Sequence, residues 1–427
     1  MTNALRKVVR FLTVPIHMLA VWLTFLIVLW ATRGGAGGVP ALCIAIAVAG
    51  ILWWRSTRLA SRRRAIVHGS LMVLALAPVA YVLAPLAPSS LAPLSTDPSA
   101  ELWSTGPGRA VAVYRYPADA VRARHTALVF VHGGPGAYVR DIDRAFFAGF
   151  ARAGFDVVLY DQVGAGRSSL LSPEHYTHDN NVKDLAAVLA RVNMPTVLVA
   201  QSYGATLVTS ALANLDVRKL VTHLILTEPG SIPGAAFSLD KSMSKKTTHA
   251  PDATLPPSVA VMGKLLAPRA MLAAFLPAGN GLASQEELIN NYTPDVQRLL
   301  VSNSFCKGDT ALLNSFHPGR FNLIANARIK NDAGKAATPD LHDMAAPVMM
   351  LLGECSYIPR GRAMEYFGVY STARAHLIPG VGHIVWGNAR GQELTRDAIV
   401  RFVDGAPGVL PNEPTQATAR LFVENGR

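Results

Sequence analysis

Three long apolar runs dominate the first part of the chain, at residues 11–31, 39–54 and 66–86. Each approaches the ~20 residues that a helix needs to cross the hydrocarbon core of a bilayer, although the second is short. The pattern predicts a membrane region with three transmembrane helices over residues 1–87. The second run also fits a re-entrant or buried segment. A cleaved signal peptide fits the first run less well, because the run is long and no small-x-small cleavage site follows it.

The pattern changes after this region. Residues 88–108 are rich in Pro and Ser, which predicts an extended tether. From Arg109 onward, short apolar segments that read as strands, such as 127–131, alternate with amphipathic segments that read as helices, such as 141–154. This alternation predicts a mostly parallel, doubly wound α/β sheet.

Charge adds a membrane topology to this picture. The net charge is +12, but residues 1–94 hold nine Lys and Arg and no Asp or Glu, so most of the excess lies among the apolar runs. Five of these Arg lie between the second and third runs, and three basic residues precede the first. The positive-inside rule then predicts a cytoplasmic N-terminus, three crossings and an extracytoplasmic catalytic domain, in an inner (plasma) membrane of bacterial type. A nucleic-acid partner is not expected.

The segment Leu198-Val-Ala-Gln-Ser-Tyr-Gly-Ala-Thr206 predicts a buried strand, a sharp turn at Ser202 and a helix that starts near Gly204. This is the pattern of a nucleophile elbow, with Ala200 in place of the usual first glycine. Small residues are required there because strand and helix nearly touch. Ser202 is therefore the candidate nucleophile.

Two further motifs precede the elbow: His132-Gly-Gly-Pro-Gly136 after a buried strand, and Asp161-Gln-Val-Gly-Ala-Gly-Arg-Ser168. With Ser202, they resemble the α/β-hydrolase superfamily, and more closely its proline iminopeptidase-like branch, over about residues 109–405. Val163 departs from the family pattern, which has Arg there. His132, Asp161 and Ser168 are interpreted as residues of structural turns.

The resemblance implies an α/β-hydrolase fold with a mostly parallel eight-stranded sheet. It implies a core over residues 109–229 and 341–405, a helical cap over residues 230–340 and a C-terminal tail over residues 406–427. It also implies an oxyanion hole formed by the backbone N–H groups of Gly134 and Tyr203.

A serine nucleophile needs a base and an acid that orients the base. His383, at the end of a Gly-rich turn, resembles the catalytic histidine of the family. The family acid follows strand seven, but Cys355 or Ser356 occupies that position here. Glu228, after strand six, is the preferred acid, and Glu354 is the alternative. Two other carboxylates are more remote candidates: Asp340 and Asp343.

Cys306 and Cys355 form a disulfide if the domain is extracytoplasmic, or are two unrelated buried thiols. Glu286 and Glu287 are the Glu residues of the cap range. In iminopeptidases such residues recognise a free substrate N-terminus, but an exposed helix face is the simpler interpretation.

The sequence thus predicts a membrane-anchored serine hydrolase that cleaves an ester or amide bond, possibly an N-terminal peptide bond, through an acyl-enzyme. The expected partners are a small-molecule, peptide or lipid-like substrate and membrane lipids. No metal or organic cofactor is expected. The alternative is a catalytically inactive binding or receptor domain on a membrane anchor. The residues that bind substrate and the oligomeric state remain open.

Overall fold

The computed structural model of this chain divides into two compact units, one of residues 1–89, 172–174 and 259–291, the other of the remainder. The structure describes the following residues: 3–32, 34–57, 62–84, 97–235, 268–275, 282–291, 304–306, 320–358, 360–408 and 410.

Within the described part of the first unit, three helices are long and apolar enough to cross a membrane. They are α1 Asn3–Ala31, α2 Val39–Thr57 and α3 Arg62–Leu83. Small side chains of α2, at Ala41, Ala45 and Ala49, are buried against larger apolar residues such as Phe25 and Val79. Small residues allow close helix approach in a membrane, where no hydrophobic effect drives helices together.

Part of the range expected to form a cap belongs to this same unit. Leu282 joins the apolar cluster of the three helices. Arg269, which is 8% exposed, lies in a short helix over residues 268–275. Its Nε and Nη2 donate to the Glu287 carboxylate at 2.8 and 3.1 Å, and its Nη1 donates to the Leu83 carbonyl at 2.8 Å. Glu287 therefore neutralises a buried guanidinium, whereas the sequence analysis favoured an exposed helix face.

The second unit is built on an eight-stranded sheet in the order β1-β2-β4-β3-β5-β6-β7-β8. Strand β2 pairs antiparallel with both β1 and β4, and all the other neighbouring strands pair parallel. The expected mostly parallel eight-stranded sheet is confirmed. The strands are β1 Ala100–Gly106, β2 Arg109–Tyr116, β3 Ala127–Val131, β4 Asp156–Tyr160, β5 Thr196–Gln201, β6 Val221–Thr227, β7 Val348–Gly353 and β8 Arg374–Ile378.

Strand β1 falls within the stretch that the sequence analysis assigned to a linker. It pairs with β2 at the edge of the sheet, and Leu102 is 67% exposed whereas Trp103 is buried. An edge strand with one exposed face has few apolar residues, so its sequence pattern is weak. The prolines nearby therefore favoured the prediction of a linker. The sheet therefore begins at Ala100, before the boundary expected at Arg109.

The helices of the second unit connect these strands. In chain order they are α4 Asp141–Ala148, α5 His178–Val192, α6 Tyr203–Ala211, α7 Leu215–Leu220, α9 Leu323–Ala333, α10 Arg360–Glu365 and α11 Ala389–Val403. The helix Pro268–Phe275, which belongs to the first unit, is α8.

An aromatic cluster fills the core on one side of the sheet. Phe130 of β3 and Phe146 of α4 contact Trp386, with the Phe146 and Trp386 rings stacked at a centroid distance of 5.3 Å. The Trp386 Nε1 donates to the buried Asp143 carboxylate at 3.0 Å. Truncation of one such buried side chain to alanine typically lowers the free energy of unfolding by about 3–5 kcal/mol. The cluster thereby fixes the loop after β8, where His383 lies.

Candidate active site

The turn at Ser202 connects β5 to α6 with a strained backbone. All six residues of β5 are buried, and Ser202 has φ 53° and ψ −121°. The Ser202 N–H donates to the Thr227 carbonyl at 3.0 Å, and the Gly230 N–H donates to the Ser202 carbonyl at 3.0 Å. Positive φ at a non-glycine residue is costly and persists where the surroundings hold it. Here the end of β6 and the segment after it hold the turn.

The position of Gly204, two residues after Ser202, has no room for a side chain. A Cβ on Gly204 would lie 2.3 Å from the Val131 carbonyl oxygen. The helix therefore begins against the end of β3 with no room for a methyl group. The Ala200 side chain is buried at the other small position. This is the geometry that a nucleophile elbow requires.

Glu228 follows β6 and is 2% exposed, with φ 47°. Its backbone N–H donates to the Leu351 carbonyl at 3.0 Å, which ties it to β7. The Gly353 N–H donates to its Oε1, and the Ser356 hydroxyl donates to its Oε2. A buried carboxylate requires such donors, because burial removes the hydrogen bonds that water would otherwise supply.

His383 lies in the loop after β8 and is 6% exposed. Its Nδ1 is 3.7 Å from Glu228 Oε2 and has no hydrogen-bond partner among the described residues. The separation is longer than a hydrogen bond, and catalytic hydrogen bonds often shorten when substrate binds. The Tyr357 ring packs on the imidazole at a centroid distance of 4.5 Å.

A hydrogen bond of its backbone carbonyl connects His383 to the elbow. The Gln201 side-chain amide donates to the His383 carbonyl at 3.1 Å. Gln201 immediately precedes Ser202, so the histidine loop and the nucleophile turn are joined directly. The structure thus brings together the segments that carry Ser202, His383 and Glu228, which lie far apart in sequence.

The other candidate acids have different contacts. Glu354 Oε2 accepts the Gly380 N–H at 2.8 Å, so this carboxylate closes the turn after β8. Asp343 is 78% exposed at its side chain and pairs with Arg218. Asp340 accepts the backbone N–H of His342 at 3.2 Å.

The glycine-rich loop 132–136 lies against the elbow. A Cβ on Gly133 would be 2.8 Å from the Ser202 Cβ, and Gly134 has φ 127°, which favours glycine. Tyr203 is the first residue of α6, so its N–H has no acceptor within the helix. Tyr203 thus follows Ser202 directly, and Gly134 follows Gly133, which packs against the Ser202 side chain.

Two asparagines near the start of α9 hold this loop, and the sequence analysis missed them. The Asn322 N–H donates to the Gly136 carbonyl at 2.8 Å, and the Asn326 side chain donates to the Pro135 carbonyl at 2.6 Å. Asn322 also donates through Nδ2 to the Gly164 carbonyl at 2.8 Å. An Asn at a helix N-cap is a local signal for capping, which it also does here, but not for these remote contacts.

His132 has a structural role in this loop. Its Nδ1 donates to the Gly133 carbonyl at 2.6 Å, and its Nε2 accepts the Gln162 N–H at 3.0 Å. Burial lowers the pKa of His132 to about 4, so the ring is neutral at pH 7. These two contacts require the neutral ring, because only a neutral imidazole has an acceptor nitrogen.

Asp161 has a similar role beside it. The carboxylate accepts the Val139 N–H at 2.7 Å, the Arg167 N–H at 2.9 Å and the Tyr114 hydroxyl at 3.1 Å. Burial raises the pKa of Asp161 to about 6. The Ser168 hydroxyl donates to the Asp161 carbonyl at 2.6 Å. These contacts fit the expected turn.

Cys306 and Cys355 form a disulfide, with Cα atoms 5.2 Å apart. Both ends contact the histidine loop. The Cys355 N–H donates to the Val381 carbonyl at 2.9 Å, and the Ile384 N–H donates to the Ser304 carbonyl at 3.2 Å. Among the described residues, no cluster of three or more His, Cys, Asp or Glu side chains fits a metal ion.

Comparison with known proteins agrees with this geometry. The family profile of the alpha/beta hydrolase fold matches residues 126–251. A proline iminopeptidase of Lactobacillus delbrueckii subsp. lactis is 25% identical over 284 residues, which are 64% of this chain and 90% of that protein. The chain has the α/β-hydrolase fold and is similar to proline iminopeptidases.

Two solved structures are similar to this chain at low sequence identity. The proline iminopeptidase of Mycobacterium smegmatis is 18% identical with a TM-score of 0.45, over 72% of this chain and 98% of that one. A thermophilic esterase from Thermogutta terrifontis is 16% identical with a TM-score of 0.46, over 69% of this chain and 94% of that one.

Proposed function

We propose that this α/β-hydrolase is a membrane-anchored serine hydrolase that cleaves an ester or amide bond through a Ser202–His383–Glu228 triad. The observation that carries the proposal is the approach of two buried groups, Glu228 Oε2 and His383 Nδ1, to 3.7 Å beside the nucleophile elbow. An acid that is placed in this way orients the imidazole and stabilises the imidazolium that forms during reaction.

The reaction proceeds in two halves. Ser202 Oγ attacks the acyl carbonyl while His383 Nε2 accepts the hydroxyl proton. The resulting oxyanion accepts hydrogen bonds from the Gly134 and Tyr203 N–H groups. His383 then donates its proton to the leaving alcohol or amine, which departs and leaves an acyl-enzyme. Water, deprotonated by His383, attacks the acyl-enzyme, and the carboxylic acid product leaves as Ser202 regains its proton.

The position of Glu228 also bears on the alternative of an inactive binding domain. That alternative was motivated by the missing acid after strand seven. Glu228 approaches His383 from β6, so a triad does not require an acid after β7. Glu354, the other candidate, is engaged by the Gly380 N–H.

Membrane anchoring is supported by the three apolar helices α1–α3 and by the charge bias around them. We infer that the hydrolase unit lies outside the cytoplasm, because the basic residues cluster in the first turns of α1 and over residues 55–64, which span the end of α2 and the start of α3. A periplasm-active reporter fused to the C-terminus of the full chain should be active. Activity of a cytoplasm-specific reporter at the same place would contradict this orientation.

The substrate class follows from the triad and from the relatives, which are named proline iminopeptidases. Recognition of a free amine would need an acidic group. Glu287 is already paired with Arg269, whereas Glu286 is exposed. The proposal therefore covers both an N-terminal peptide bond and an ester or amide without a free amine.

The test is a substrate panel with matched variants. Prolyl and other aminoacyl amides, short-chain esters and long-chain esters are offered to the full chain in detergent. Turnover of the best substrate should be lost in Ser202→Ala and should fall sharply in Glu228→Gln, while Glu354→Gln remains close to wild type. Equal turnover by Ser202→Ala would refute the proposal.

A further inference from the structure

The turn after β7 contacts the Glu228 carboxylate through both of its oxygen atoms. The Gly353 N–H donates to Oε1, and the Ser356 hydroxyl donates to Oε2. Ser356 stands in the stretch where a carboxylate was expected from sequence. Oε2 is also the oxygen that faces His383 Nδ1 at 3.7 Å. The hydroxyl of Ser356 and the imidazole of His383 thus approach the same carboxylate oxygen.

The direction of the Ser356 proton is defined by its neighbours. The Ile358 N–H donates to Ser356 Oγ at 3.1 Å. A hydroxyl has one proton and two lone pairs, so this contact takes up a lone pair and leaves the proton for Glu228. A hydrogen bond to a carboxylate is about twice as strong as a bond between neutral groups.

Glu228 needs such a restraint more than an aspartate would, because its side chain has one more rotatable bond. The terminal torsion of a glutamate is broad, so its carboxylate rotates easily when only one oxygen is held. With Ser356 removed, Gly353 would hold Oε1 alone, and Oε2 would no longer be fixed toward His383. The carboxylate is 2% exposed, so water has little access to take the place of the hydroxyl.

We propose that Ser356 is a positioning residue of this hydrolase, which fixes the Glu228 carboxylate in the orientation that His383 requires. The inference rests on the proposed function, because it assigns Ser356 a role through the triad acid. It adds a residue after β7 to a triad whose acid follows β6.

The test compares two substitutions of equal shape at this position. Ser356→Thr keeps the hydroxyl, and Ser356→Val replaces it with a methyl group. We expect Ser356→Val and Ser356→Ala to lower kcat by about 10- to 100-fold, the loss that corresponds to one hydrogen bond to a charged group. KM should stay within about twofold, because the acid acts on the reaction and not on substrate binding. Ser356→Thr should restore most of kcat.

A double variant tests whether the loss passes through Glu228. In a Glu228→Gln background, Ser356→Ala should add little to the loss, because the two residues act as one unit. Glu228→Ala combined with Ser356→Asp should recover activity relative to Glu228→Ala, since a carboxylate at position 356 would lie close to the place of Oε2.

Three results would overturn the inference: wild-type kcat in Ser356→Val, equal losses in Ser356→Thr and Ser356→Val, or full additivity with Glu228→Gln. Circular dichroism and the melting temperature show whether each variant is folded. Ser356→Thr and Ser356→Val have the same shape, so a difference between their kcat values reports the hydroxyl and not a steric effect. The proposed function fails separately, if Ser202→Ala keeps its turnover. When Ser202→Ala is inactive and Ser356→Val is fully active, only the role of Ser356 is lost.

Discussion

The disulfide between Cys306 and Cys355 offers a quantitative test of how the second unit is held together. We consider the replacement of both cysteines by serine. The two residues are separated by 49 positions. In the chain-entropy description, a cross-link that closes a loop of this size stabilises the folded state by about 4 kcal/mol. The variant should lose a stabilisation of this order.

Contacts around the disulfide add a local effect. Phe305 is 3% exposed and packs in the same apolar cluster as Trp386 and Ile384. The segment 304–306 also accepts the Ile384 N–H through the Ser304 carbonyl. Without the cross-link this segment is held against the histidine loop by non-covalent contacts alone, so we expect kcat to fall along with stability.

The assay is thermal unfolding of the purified full chain in detergent, with and without a reductant. For a unit of this size, each 1 kcal/mol shifts the melting temperature by about 2 °C, so the double serine variant should melt about 8 °C lower. Reductant should lower the melting temperature of the wild type and leave that of the variant unchanged. Denatured, unreduced wild type should show one free thiol, that of Cys43.

Cys43→Ser is the matched control, because Cys43 is exposed in α2 and has no disulfide partner. It should melt like the wild type and respond to reductant in the same way. An unchanged melting temperature in the double serine variant, or three free thiols in unreduced protein, would refute the reasoning.

Three further predictions address the triad, the glycine-rich loop and the elbow. Glu228→Gln should lower kcat by about 10³- to 10⁴-fold, as loss of a triad acid does, whereas Glu354→Gln should not; the reverse order would move the acid to Glu354. Burial lowers the pKa of His132 from 6.5 to about 4. Because the folded protein holds His132 in its neutral form, this shift contributes about 3 kcal/mol to the free energy of unfolding above pH 6.5, and the contribution is lost as the pH falls toward 4. Urea unfolding across this range should show a flatter pH slope in His132→Asn, and an identical slope would contradict the assignment. Gly204→Ala places a Cβ 2.3 Å from a backbone oxygen of β3, whereas a Cβ at Gly361 meets nothing within 4 Å. The first change should therefore destabilise by about 1–3 kcal/mol or more and abolish turnover, and Gly361→Ala should do neither; a stable, active Gly204→Ala would be inconsistent with the elbow.

Local patterns in the sequence were sufficient for the parallel sheet and for the elbow. Four consecutive residues of β5 are apolar, Val197 to Ala200, and the small residues around Ser202 fall within five consecutive positions. Such signals lie within one element, so no knowledge of the tertiary structure is needed to detect them.

Contacts between distant segments left no comparable signal. Cys355 or Ser356 occupies the position expected for the family acid, but the hydrogen bond of Ser356 to Glu228 joins residues 128 positions apart. The hydrogen bonds of Asn322 to the loop at Gly136 and of Arg269 to Leu83 are equally remote. Their partners become neighbours only when the chain folds, so composition and periodicity carry no information about them.

The most direct test of the account is labelling of the full chain with a fluorophosphonate, followed by mass spectrometry of the modified peptide. A serine that is activated by His383 reacts with this probe, and an ordinary serine does not. The account predicts one adduct on Ser202, lost in Ser202→Ala and strongly slowed in His383→Ala. A folded wild-type protein that stays unlabelled, or an adduct on another residue, would contradict it.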